Sequence, residues 1–271
     1  MNISTDIDED MYERAATLIE NICSSDASDF YRLRWGSKKE FNELPFLAVD
    51  DLIRTPFSKR RYRTQKGLVK IIRRNGSPFF IQRSHTDIGE ENYGSPCERP
   101  TILFTDNGDA LEKSLWFYEH FILPLLGRCQ NMAVAAHSAA WYGTDAIVSD
   151  ADTLQKFLPQ LKKIYDSTHI RTLTLIEKTF PPSTMKWGML FQVVRILAGL
   201  PECGAFAEKC PESGMKPFFH ADKNSLLEVH DGYLVVTKLL PLVTPIIRYK
   251  TELRATKTVS GCSCEKTSFI L

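Results

Sequence analysis

Short apolar runs alternate with longer stretches of helical spacing through the middle of the chain, and this alternation limits the fold more than any other feature. PTILFT (100–105), NMAVAAH (131–137) and HIRTLTLIEKT (169–179) read as buried strands, the last with β-branched residues at alternate positions. A helix is expected from Leu111 to Leu126, carrying Trp116, Phe117 and Phe121, and another over ADTLQKFLPQLKKIYD (151–166). TMKWGMLFQVVRILAG (184–199) completes the series as a helix stopped by Gly199. Strand, helix, strand in repetition implies an α/β fold with a largely parallel sheet.

The flanks carry different patterns. Residues 7–24 place Met11, Ala15, Leu18, Ile19 and Ile22 on one helical face. A loop over 30–39 follows, then FNELPFLAVDDLI (41–53), which Pro45 divides into two short elements. Residues 67–83 read as two strands around Asn75-Gly76. Beyond Leu226 the pattern turns strand-rich and hairpin-like, in LLEVHDGYLVVTKLL and IIRYKTELRATKTV. The expected organisation is an α/β core over 1–225 and a small β-subdomain over 226–271.

Composition excludes several classes. With 271 residues, 43% of them hydrophobic, 25% charged and a net charge of +1, the chain can bury a core and is neither disordered nor generally basic. The first 29 residues are acidic and lack the order of a signal peptide, and no run is long and apolar enough for a membrane span. A cytoplasmic location without membrane partners is expected. Arg54 to Arg83 is rich in Lys and Arg without an acid, yet its alternation beside a turn reads better as the solvated face of a hairpin than as a nucleic-acid interface.

Seven cysteines, an odd number, argue for thiols or metal ligands rather than a disulfide framework. Cys262 and Cys264 form a Cys-x-Cys pair, and Cys210 and His220 lie upstream on a segment expected to pack beside them. Four soft ligands from two hairpin-like segments suit a tetrahedral structural Zn²⁺. The competing reading is a set of free thiols, and Cys203 and His230 are substitute ligands in another register.

Several stretches, in order, resemble the large domain of adenylate-forming enzymes, specifically the phenylacetate CoA ligase branch. They are FYRLRW with EFNELPFLAVDDLI, then AGLPECGAFAEKC, then GYLVVTKLLPLVTPIIRYKTEL, and finally GCSCEKTS. The resemblance implies a partial adenylate-forming large domain that binds ATP or AMP with Mg²⁺ and activates a small carboxylic acid to its acyl adenylate. Glu202 then takes the place of the catalytic glutamate that helps hold magnesium. Gly199, Thr237, Arg248 and Glu252 fall in nucleotide-binding positions, Glu252 as the carboxylate that accepts both ribose hydroxyls. Ser84 and Thr86 stand where the phosphate loop belongs, although Asp87, Glu90 and Glu91 accompany them. His137, Trp141 and Tyr142 match the acyl pocket.

The departures matter as much. Thr251-Glu252 replaces Thr-Gly-Asp, Ala198 replaces the tyrosine beside adenine, and the family's C-terminal lid has no counterpart in these residues. The expectation is therefore a ligase whose site a partner protein completes by supplying a lid. The alternative is an inactive descendant that binds a nucleotide, an acyl group or a protein, with zinc holding its end.

Overall fold

The computed structural model describes residues 9–24, 29–36, 40–62, 68–74, 77–83, 101–105, 122–126, 146–164, 170–177, 188–200, 202–240, 242–258, 262–264 and 266–271. The chain packs into two compact units, one made of residues 1–90 and 210–271, the other of residues 91–209. The first unit is thus discontinuous in sequence.

Its N-terminal part is helical. Helix α1 (Glu9–Ser24) forms as expected and buries Ala15, Leu18, Ile19 and Ile22. The segment expected as a loop over 30–39 instead contains helix α2 (Asp29–Trp35), because Tyr31 and Trp35, one turn apart, both find the core. Asp29 in its first turn and Arg32 and Arg34 in its last suit the helix dipole. Pro45 separates a 3₁₀ turn at Phe41–Glu43 from helix α3 (Val49–Arg54), whose Asp51 side chain accepts the Ala48 N–H at 2.8 Å. Strands β1 (Leu68–Arg74) and β2 (Ser77–Arg83) pair antiparallel as expected, Arg74 opposite Ser77.

The second unit holds the parallel sheet. Its strands are β3 (Thr101–Thr105), β4 (Ile122–Leu126), β5 (Ala146–Ser149), β6 (Thr172–Glu177), β7 (Val193–Leu200) and β8 (Gly204–Lys209). Within this unit they run in the order β8-β7-β6-β5-β3-β4, all neighbours parallel except the antiparallel pair β7 and β8. Helix α4 (Ala151–Ile164) connects β5 to β6 and sets Leu154, Phe157, Leu158 and Leu161 against Ile147, Leu173 and Leu175. Glu177 accepts the first N–H of that helix, Ala151, at 2.5 Å, a carboxylate at a positive helix end.

Two expectations change here. Residues 193–199, expected as the end of the helix over 184–199, belong to strand β7. VVRILAGL is apolar but for Arg195 and fits both periods, and its residues 196–200, all buried in the sheet, need no alternation. Residues 122–126, expected as helix, are strand β4 at the end of the order, where the missing N–H of Pro124 is tolerated. The rest of that helix, and the strand expected at 131–137, lie outside the described residues.

The first unit then resumes. Strands β9 (Phe218–Ala221), β10 (Ser225–His230), β11 (Tyr233–Lys238), β12 (Tyr249–Arg254), β13 (Thr256–Thr258) and β14 (Ser268–Ile270) follow. β10-β11-β12 form an antiparallel sheet, and β13, β14 and β9 pair antiparallel in that order. The turn between β10 and β11 is Asp231-Gly232, with φ of 53° and 75°. Two positive φ values at an Asp-Gly pair give the tight turn that suits strand twist. Leu226, Leu239 and Ile247 pack with α1 and α2 into one core. No helix among the described residues is long and apolar enough to cross a membrane.

Candidate functional site

Two places in the first unit concentrate chemistry. The first is built from the turn after Cys210 and the loop between β13 and β14. The Cys210 N–H donates to Phe218 O at 2.8 Å, closing a tight turn through Pro211–Ser213 and Gly214 at φ 56°. Thr258 pairs with Ser268 at the base of the second loop, and Phe269 opposite Phe219 on β9 brings that loop beside the turn. The metal-binding atoms of Cys210, His220, Cys262 and Cys264 consequently lie within 4.8 Å of one another. Cys264 Sγ stands 3.7 Å from Cys210 Sγ, 3.2 Å from Cys262 Sγ and 3.1 Å from His220 Nε2.

The imidazole is oriented from outside the cluster. His220 Nδ1 lies 2.8 Å from Thr267 O, a carbonyl that can only accept, so Nδ1 carries the proton and the Nε2 lone pair faces the thiols. The thiols themselves are unequal. Donation from the Cys264 backbone N–H pulls Cys262 down to about 6, while burial pushes Cys210 up to about 11. Cys262 is thus drawn toward the thiolate and Cys210 toward the thiol, whose proton a metal would displace.

The second place is strand β12. Val235 pairs with Lys250 and Tyr233 with Arg254, so Leu234 alone stands opposite Thr251, Glu252 and Leu253. Such a bulge leaves backbone groups without ladder partners and re-aims side chains. The Thr251 hydroxyl makes good the loss: it donates to Leu234 O at 2.8 Å and accepts the Leu253 N–H at 3.2 Å. Thr251 is buried and Glu252 is exposed. Lys250 and Arg254 flank Glu252 along the strand, Lys250 paired to Asp231 at 3.2 Å and Arg254 stacked 3.8 Å over the Tyr233 ring.

Arg248 stands at the base of this strand with φ of 47°, a left-handed value uncommon for a long side chain. Its surroundings determine it fully. Nε and Nη2 grip the Glu228 carboxylate at 3.2 and 3.1 Å, and Nη1 donates to Asn42 O and Leu44 O at 2.8 and 2.7 Å. The guanidinium lies 4.4 Å from the Phe46 ring centre. Its N–H donates to the Thr237 hydroxyl at 2.9 Å, and its carbonyl accepts the Leu47 N–H at 2.9 Å. Burial pushes the Glu228 carboxyl up, and the charge of Arg248 pulls against it.

The remaining sequence-derived residues fall as follows. Thr237 and Arg248 are buried and turned inward: the hydroxyl accepts the Arg248 backbone N–H, and the fork that its type suggested for a nucleotide is spent on Glu228 and on the carbonyls of Asn42 and Leu44. Gly199 and Glu202 belong to the second unit. A Cβ at Gly199 would lie 2.8 Å from Ile176 Cγ2 and 3.1 Å from Gly204 O, so glycine serves close packing beside a register shift in β7. Glu202 is buried in the turn after β7, at the carboxyl end of the parallel strands, where α/β sheets bind ligands. Ser84, Thr86, His137, Trp141 and Tyr142 lie outside the described residues. Sequence reasoning missed Glu228 and Thr251. An acid within the apolar run LLEVH was the available signal for the first.

The sequence matches no protein-family profile and no curated protein. The fold, in contrast, is shared. 2-Hydroxyisobutyryl-CoA ligase in an open conformation, in complex with 2-HIB-AMP and CoA, matches with a TM-score of 0.69 at 13% identity, over 97% of this chain and 68% of that one. The same ligase in the postadenylation state, in complex with R3-HIB-AMP, matches with a TM-score of 0.66 at 14% identity, over 97% and 66%. The chain therefore has the fold of the adenylate-forming CoA ligases and spans about two thirds of the length of these enzymes.

Proposed function

We propose that this fold binds AMP or ATP and activates a small carboxylic acid as its acyl adenylate, in the manner of the phenylacetate CoA ligase branch, with a partner supplying the lid. In that reaction a carboxylate oxygen attacks the α-phosphorus and pyrophosphate leaves. The observation that carries the reading is Glu252, an exposed carboxylate held out on a bulge in a strand that is otherwise anchored. A carboxylate so presented accepts two ribose hydroxyls without a proton transfer. Magnesium falls to Glu202, at the carboxyl ends of the parallel strands.

Zinc is the metal proposed for Cys210, His220, Cys262 and Cys264. Three sulfurs and one imidazole nitrogen form the donor set of closed tetrahedral sites, whose bonds of about 2.0–2.3 Å fit donors this close together. Bound there, zinc supplies structural cross-linking, since four protein ligands leave no position for substrate.

A second reading has its own observation. The hydroxyl of Thr237 and the fork of Arg248 are consumed internally, as in a scaffold that keeps the fold without the chemistry. Calorimetric titration of metal-analysed protein with Mg²⁺·ATP and with AMP separates the two. Micromolar binding that Glu252→Ala and Glu202→Ala both weaken supports the ligase. Absence of binding in protein that holds one zinc per chain leaves the scaffold.

A further inference from the structure

Resting on the assignment of Glu252 to the ribose, we propose that Thr251 and Arg248 are its positioning residues, acting on nucleotide affinity through Glu252 and touching no phosphate. The bulge presents more chain than β11 can pair, so β12 would be free to slip or flatten there without a lock. Thr251 provides the lock inside the bulge, its one hydroxyl donating across to Leu234 O on β11 and accepting the N–H of Leu253, the residue after Glu252. A flattened bulge would turn Glu252 toward another direction, because the side-chain period of a strand is two.

Arg248 provides the lock at the base. It ties the start of β12 to a segment about two hundred residues earlier in sequence, through Asn42 O and Leu44 O. Leu47 then runs parallel beside Tyr249, its N–H donating to Arg248 O and its carbonyl accepting from Lys250 N–H, both at 2.9 Å. The free edge of β12 is thereby occupied immediately before the bulge. The guanidinium that would otherwise be available to a phosphate is closed off by Glu228 and the Phe46 ring.

Ribose is common to adenosine, AMP and ATP, and phosphate is not, so affinities for these three probes read the mechanism. Loss of a hydrogen bond to a charged acceptor through misplacement of Glu252 weakens binding about tenfold. Thr251→Val keeps the branched shape without the hydroxyl and is expected to weaken all three ligands by that common factor. Thr251→Ser should restore them, and Arg248→Lys, a second variant should the valine protein fail to fold, should also weaken them in common. Combined with Glu252→Ala, neither substitution should add to the loss. A loss confined to ATP, unchanged binding in Thr251→Val, or full additivity with Glu252→Ala would overturn the proposal. Wild-type protein that binds none of the three would instead overturn the assignment of Glu252, and this inference with it.

Discussion

The cysteine cluster and the bulged strand belong to one compact unit, yet they use their functional side chains in opposite ways. In the cluster every singled-out side chain turns inward to the others, and its geometry is complete within the chain. On β12 the pattern alternates, with Thr251 locked inside and Glu252 held out. A closed arrangement of this kind stabilises, whereas an open one is built to meet something else. Substitutions should therefore separate stability from binding.

The largest effect is expected at the cluster. Cys210→Ser should lose the metal and cost at least about 5 kcal/mol of stability, measured by denaturation alongside elemental analysis. Unaltered stability and metal content would reduce the cluster to free thiols and dissolve the contrast. Next in size is Arg248→Ala, which strips the half-buried Glu228 carboxylate of its partner and the carbonyls of Asn42 and Leu44 of their donor, at a cost of about 3 kcal/mol in urea unfolding. That residue would mark the strand's hidden half as structural.

A pH series gives a smaller, graded effect. A metal held here would have to displace the Cys210 proton at any pH below about 11. Protonation of Cys262 would compete in addition as the pH falls through about 6, so the fall of affinity with pH should steepen by about tenfold per unit below that point. The same sign holds without metal: a thiol held below its ordinary value contributes stability at pH values above that value and loses it as the pH falls through about 6. A chromogenic chelator follows the release, and a slope that does not steepen near pH 6 would contradict the pull of the Cys264 N–H. The smallest effect on stability belongs to Glu252→Ala, within about 0.5 kcal/mol for an exposed side chain, while nucleotide affinity falls. Equal losses in both would make Glu252 an ordinary surface ion-pair partner.

What was legible in the sequence follows from the same distinction. The cluster could be read because sulfur and imidazole declare themselves by type, and a Cys-x-Cys spacing fixes two ligands in one loop. Thr237 and Arg248 were read by type as well, but type does not give direction. The left-handed φ of Arg248 and its bonds to residues 42 and 44 exist only once distant segments meet. Among the elements, α1, α4 and the β1 and β2 pair were legible because their periods are unambiguous. The run ending at Gly199 was not, since a mostly apolar run broken by only a few polar residues such as Arg195 fits a buried strand and a helix alike until neighbouring strands supply hydrogen bonds.

The discontinuity of the first unit has a consequence for the order of events during synthesis. Residues 91–209 form a compact unit of their own and emerge from the ribosome before the second half of the first unit exists. Leu47, meanwhile, waits for Tyr249, and the carbonyls of Asn42 and Leu44 wait for Arg248. Contacts of such sequence separation are slow to close, so the part of the N-terminal helical core that Leu226, Leu239 and Ile247 cover stays open through most of translation. Chaperone dependence during that interval should exceed what the finished protein's stability suggests.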